Sequence, residues 1–406
     1  MSDQALITEL ERQSEPARRC FAYYDGLEGN ADSSQKPSPD LSEITAPITA
    51  ILLEHPTFGK GRSAYFATKQ LYLHPHFVPQ GLLRMTLRSG AASSVNWLRR
   101  LFEVDRVGLR MVAALHGIEV EQPTLLRNGV RLFPVGIAPD SPNLRALTRR
   151  HQINPWSMMD AASVTLPTIA VLDMGIVAAT ANSEAGKLAD DTAYSALLDT
   201  ARALTLANRA APVLGNSWID FVDPELALAE FGRMWMGARF EGSMSQFPTK
   251  IDNDALTWAA RYLQTTDPLR PLLDVALDRL NLARRRRSPG DQAIDSGICL
   301  EALLGDDNPQ ELTYKLRLRA ALLLGKTLAE RQEISESVAN LYRLRSKVVH
   351  GRARRPQDHL RDTQCASRGL EICEQAVRAI VLNGTRPDFA VWEMVGGPSG
   401  IIPQSS

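Results

Sequence analysis

The chain has 406 residues, 44% of them hydrophobic, which is length and apolar content for two or three domains with real cores and excludes a single small scaffold. Its 46 basic and 46 acidic residues balance, so it lacks the whole-chain positive field of a polybasic nucleic-acid or membrane binder, and any anion-binding surface is local. Thirty-eight of the cations are arginine, and the four cysteines (Cys20, Cys299, Cys365, Cys373) form no C-x-x-C pair, a pattern that points to a reducing compartment without a disulfide framework or structural zinc.

Met1 to Arg12 carries Asp3, Glu9 and Glu11 and no apolar run, so no secretory leader is expected and a cytoplasmic location is. Residues 4–25 read as one helix, and residues 30–42, rich in Ser, Pro and Asp, as a linker or long loop. An apolar run follows at Ile48–Leu53. Gly59-Lys60-Gly61-Arg62-Ser63 lacks the glycine spacing of a phosphate-wrapping loop and reads as a surface turn. His74-Pro75-His76 offers two imidazoles, but no third metal ligand lies nearby and the proline keeps the pair off one helix face.

Val95–His116 is expected to be helical. Asn128-Gly129, between the β-prone flanks of Leu125–Pro134, predicts a hairpin. Ala161–Ala181 is nearly long enough to span a bilayer, yet Asp173 near its middle and Pro167 argue against a membrane span. Helical spacing returns over Ala189–Arg209, so residues 1–250 read as an α+β region.

From about Asn253 the pattern changes to helices joined by capped turns, and residues 251–385 are predicted to form an all-α bundle of about five helices. Helices are expected over Leu269–Ala283, Glu330–Val349 and Gln357–Leu382, with further starts capped at Ser288-Pro289 and Asn308-Pro309. Residues 386–406 read as a flexible tail. No G-x-S-x-G, H-E-x-x-H or G-x-G-x-x-G motif occurs.

One stripe of the helix ending near residue 350 contains a charge. Val338, Leu341, Arg345 and Val348 step by three, four and three, which places Arg345 in an apolar seam. A guanidinium does not escape burial by losing its proton, so it requires a carboxylate (Glu301, Glu311 or Glu336), a wet interface or a phosphate. His350 lies about 140° round the helix from Arg345, but Gly351 is the expected left-handed cap and places the histidine at the helix end. Ser346 precedes His350 by four residues, on the same face. The Arg-x4-His spacing alone says little: Arg354 and His359 repeat it across Pro356, which no regular helix accommodates.

Arg343, Lys347, Arg352, Arg354 and Arg355 surround the motif without an acid among residues 343–355, and Arg284–Arg287 is a second basic run. No aromatic-basic stripe suggesting stacked single-stranded bases is legible, and sequence-specific RNA readout is not visible.

Asp291, Asp295, Leu300–Leu304, Glu311, Arg319-Ala320, Arg331 and Tyr342-x-x-Arg345-Ser346-x-x-x-His350-Gly351 together resemble the Apea-like branch of the HEPN superfamily, over roughly residues 253–383. The resemblance implies a small helical bundle, a homodimer and a metal-independent endoribonuclease that needs no cofactor. Arg345 and His350 take the catalytic places and Ser346 the polar one, where other branches often carry asparagine or aspartate. Arg343, Lys347, Arg352 and Arg354 become candidate RNA contacts, tRNA included. Members of the superfamily act in toxin–antitoxin pairs and abortive infection, so an unidentified trigger or antitoxin is an expected partner. Some members only bind, which makes a non-catalytic scaffold for RNA or a protein the alternative. A regulated enzyme within residues 1–250 is a third.

Overall fold

The computed structural model describes residues 2–26, 40–153, 167–227, 248–306, 310–351 and 358–395. Two helices open the chain, α1 (Asp3–Gly26) and α2 (Leu41–Leu53), the second capped by Asp40, whose carboxylate accepts from Ser42 N. From the Ile48–Leu53 run, Ile48 and Leu52 join Ile44 on the buried face of α2, while Leu53 is exposed. The antiparallel hairpin β1 (Arg62–Phe66) and β2 (Lys69–Leu73) follows, then α3 (Val78–Ser89) and α4 (Ala91–Glu103).

Here one expectation fails. Arg106–His116 is the strand β3, not the continuation of a helix. Val107, Leu109, Met111, Ala113 and Leu115 enter the main core, while Val112 and Ala114 enter a second cluster on the opposite face. A strand covered on both faces carries an unbroken apolar run, and such a run does not display the alternation that distinguishes strand from helix.

Short strands β4 (Ile118–Glu119), β5 (Thr124–Leu125) and β6 (Arg131–Phe133) come next. The predicted Asn128-Gly129 hairpin joins β5 to β6, with Gly129 at φ +84° and Leu126 N donating to Val130 O at 2.8 Å. Helix α5 (Pro142–Ile153), strand β7 (Thr168–Ala178), helix α6 (Glu184–Thr205), strand β8 (Val213–Phe221), helix α7 (Pro224–Ala227) and strand β9 (Thr249–Lys250) complete the α+β part. Within the Ala161–Ala181 stretch, Thr168–Ala178 is β7 and residues 161–166 lie outside the described residues; among the described residues no helix is long and apolar enough to cross a membrane. The principal sheet has the order β5-β6-β7-β3-β8, all antiparallel. Leu144 and Leu147 of α5 cover its smaller apolar face around Trp218.

Among the described residues the helical part holds six helices up to residue 383, where about five are expected: α8 (Asn253–Leu263), α9 (Leu269–Arg285), α10 (Pro289–Leu304), α11 (Leu312–Leu324), α12 (Leu328–Val349) and α13 (His359–Asn383). A seventh, α14 (Phe389–Val395), lies in the segment expected to be a loose tail. It is held because Phe389 and Trp392 are buried and Glu393 pairs with Arg319 Nε at 2.7 Å. Helix α11 starts later than its predicted cap. Glu311 stands at φ +53° immediately before it, and Asn308 and Pro309 lie outside the described residues.

Helix α10 is the centre of the bundle and packs on α9, α12 and α13. The apolar core runs on across residue 250, because α6 packs against α8 and α9. Arginines tie the two parts: Arg284 donates to Thr205 O and Ala210 O and pairs with Glu374 at 2.7 Å, and Arg378 donates to Leu206 O at 2.7 Å. Arg284 is therefore not a surface RNA contact. In the same run Arg285 donates to Asn281, and Arg286 pairs with the buried Asp295 at 2.8 Å.

Candidate active site

Helix α12 begins at a reciprocal cap. Glu330 N donates to the Thr327 hydroxyl, while Glu330 Oε2 accepts from Lys326 N and Thr327 N. Val338 and Leu341 are fully buried and Val348 packs on the core from the same stripe. Arg345 occupies the stripe facing α10, where Gly297 leaves room for it. A Cβ at position 297 would lie 3.0 Å from Arg345 Cδ and 3.3 Å from its Nε.

One turn further along α10 is Glu301, the carboxylate that pairs with Arg345 (Nη1 to Oε1, 2.9 Å). Tyr342 completes the arrangement: its hydroxyl lies 3.0 Å from Glu301 Oε1 and 3.2 Å from Gly297 O, and its ring centroid is 5.4 Å from the Arg345 guanidinium carbon. Burial, reinforced by the Glu301 charge, pushes the Tyr342 phenol well above its ordinary range, so it remains a neutral donor. Arg345 Nε is buried without a hydrogen-bond partner, while 30% of the side chain as a whole is exposed. The arginine is thus paired with a carboxylate and keeps part of its side chain exposed.

His350 is the C-cap of α12, with Gly351 beyond it at φ +61° donating to Val348 O at 3.0 Å. The expected left-handed glycine cap is present. His350, Ser346, Arg343 and Lys347 are all exposed. The only bond between Ser346 and His350 is the helical one, His350 N to Ser346 O at 3.1 Å, and among the described residues neither a hydrogen bond nor an ion pair joins the His350 ring to Arg345. Arg345 faces α10 and His350 stands at the helix end, as a straight-helix projection requires.

Two clefts flank α12. Arg343 and Lys347 line one of about 510 Å³ with Arg361 and Arg368 of α13. These two arginines are seven residues apart on one face of α13, a spacing readable in the sequence, though which helix they face is not. Arg368 is partly neutralised by Glu333 at 2.8 Å and Glu371 at 3.2 Å. Arg352, Arg354 and Arg355 lie outside the described residues. The other cleft, about 930 Å³, runs between α11 and α12 from Leu328 to Ser346, with Tyr314 60% and Leu328 73% exposed.

Other residues of the predicted pattern act as braces. Asp295 accepts from Arg279 at 3.1 Å and Arg286 at 2.8 Å, Arg319 binds Leu304 O, Asp306 and Glu393, and Arg331 donates to Gly325 O at 3.0 Å. No protein-family model, no characterised protein and no solved structure matches the chain.

Proposed function

We propose that the helical part is an endoribonuclease of the HEPN type, acting without a metal as a homodimer and serving as a defence or toxin effector. The observation that supports it most is Arg345, an arginine on a core stripe that pairs with Glu301 at 2.9 Å and keeps 30% of its side chain exposed, on the helix that ends at His350.

In this reading the 2′-hydroxyl of RNA attacks the adjacent phosphorus, its proton goes to a base, and the departing 5′-oxygen receives a proton from an acid. An imidazole exchanges its proton near neutral pH and so suits either role. Arg345 holds the non-bridging oxygens, more tightly as charge accumulates on the phosphorane. One histidine does not serve easily as both acid and base, and a two-fold dimer supplies the second. The apolar cleft between α11 and α12 ends at Ser346 and offers a face for that contact. Arg343, Lys347, Arg361 and Arg368 would track the phosphate backbone.

The test is cleavage of total RNA and tRNA by the full chain in excess EDTA, comparing wild type with His350→Ala at matched melting temperature and oligomeric state. Wild-type cleavage that falls at least ~100-fold in the variant supports the assignment; equal rates in both remove His350 from the reaction. The same Glu301 pair favours a second reading, a non-catalytic scaffold in which Arg345 only ties α12 to α10. That reading gains if wild type binds RNA and cleaves none.

A further inference from the structure

Two motifs without a role in the bundle meet at the end of the β1–β2 hairpin. Tyr72, His74, His76 and Phe77 form one connected group of rings. Tyr72 and His74 lie nearly parallel with centroids 5.8 Å apart, and so do His74 and His76 at 5.2 Å. Phe77 tilts against Tyr72 at 5.7 Å and against His74 at 6.2 Å. The group stands at the surface, with Tyr72 38% and Phe77 49% exposed and His76 exposed as well.

The Gly59–Arg62 turn borders these rings. Gly61, at φ +66°, is close enough that a Cβ there would lie 3.6 Å from His74 Cδ2, and its neighbour Lys60 is exposed. Among the described residues no three His, Cys, Asp or Glu side chains are grouped to hold a metal ion, so the two imidazoles do not make a metal centre by themselves.

The chemistry of the patch selects its occupant. Its exposed side chains are aromatic rings rather than branched aliphatic groups, and the exposed Lys60 precedes Gly61, which borders His74. A lipid surface calls for aliphatic or indole groups, and the exposed rings here are phenol, phenyl and imidazole. Unpaired bases call for flat faces to stack on and a nearby cation for the intervening phosphate. We propose that Tyr72, His74, His76 and Phe77 form a stacking platform for unpaired bases of a single-stranded nucleic acid, with Lys60 meeting the adjoining phosphate. The platform belongs to the N-terminal region and does not depend on the ribonuclease reading. It equips that region to recognise single strands on its own account.

The test uses the full chain and fluorescein-labelled dT10, which has no 2′-hydroxyl and is not consumed by the proposed cleavage. Anisotropy titrations compare wild type, Tyr72→Ala/Phe77→Ala and Tyr72→Trp/Phe77→Trp, each checked for an unchanged melt. Wild type is expected to bind dT10 at least ~10-fold more tightly than the alanine pair does, with the tryptophan pair close to wild type. A decamer of the same charge without bases should bind wild type at least ~10-fold more weakly than dT10. Equal binding of dT10 by wild type and the alanine pair, no binding by wild type, or equal binding of the abasic decamer would overturn the platform. Cleavage of RNA with the platform disproved would leave the bundle's assignment standing.

Discussion

Arg345 on α12 lies in the space that Gly297 leaves open on α10, with only 3.0 Å from Arg345 Cδ to where a Cβ would stand. Glycine inside a helix ordinarily costs about 0.5–1 kcal/mol relative to alanine. Gly297→Ala should therefore leave the melting temperature unchanged or raised while moving the guanidinium by a few tenths of an ångström. RNA cleavage should fall by about tenfold, since sub-ångström positioning governs such steps. A variant that melts higher and cleaves at the wild-type rate would show that the placement of Arg345 does not matter to the reaction.

Removing Arg345 itself separates catalysis from bracing. The pair with Glu301 is partly exposed, 30% on one side and 25% on the other, so Arg345→Ala should cost only about 1 kcal/mol in denaturant melts. Cleavage should fall by about 10²–10³-fold, the usual effect of losing a preorganised donor to the transition state. Arg345→Lys keeps the charge without the fork and should recover little activity. A loss above about 3 kcal/mol would mark Arg345 as a structural residue and support the scaffold reading.

Asp306 contributes an acid-sensitive contact. Hydrogen bonds from Arg319 and then Lys315 hold its carboxyl at about 2, below its ordinary 3.8. A depressed folded-state pKa means stability that is present above the unfolded value and lost as pH falls through the folded one. Asp306→Asn should therefore melt below wild type at pH 6, with the gap closing between pH 4 and about 2. A gap that is constant over that range would show that the charge of Asp306 is not what Arg319 requires.

Arg284 should report on the coupling between the two parts of the chain. It binds two carbonyls at the end of α6 and pairs with Glu374 from a buried position. Arg284→Ala leaves those groups without their partner and should cost about 3–5 kcal/mol in urea. Fluorescence and far-UV circular dichroism should lose signal together in wild type, because α6, α8 and α9 share one core. Two separate transitions in wild type would show that the parts fold independently despite that core.

Much of the helical organisation was legible because it is local. Apolar periodicity marked α1, α6, α9, α12 and α13 to within a few residues, Asn128-Gly129 marked its hairpin, and Gly351 marked the end of α12. Strand β3 was not legible as a strand, since apolar contacts on both faces erase its alternation. The tail helix α14 is seven residues long and rests on a distant arginine, so its own sequence gives little sign of it.

The candidate site divides the same way. The sequence alone determined that Arg345 lies on an apolar stripe and that His350 ends the helix, because both follow from the 3.6-residue period and a glycine cap. It left three carboxylates as possible partners, and it made Arg284–Arg287 look like a solvated basic run. The tertiary structure decided both. Gly297 lets α10 approach α12 so that Glu301 meets Arg345, while Arg284 is drawn inward by carbonyls some 75 residues earlier in the chain. Those choices rest on which helix faces which, and that depends on packing between residues far apart in sequence, where no local pattern records the answer.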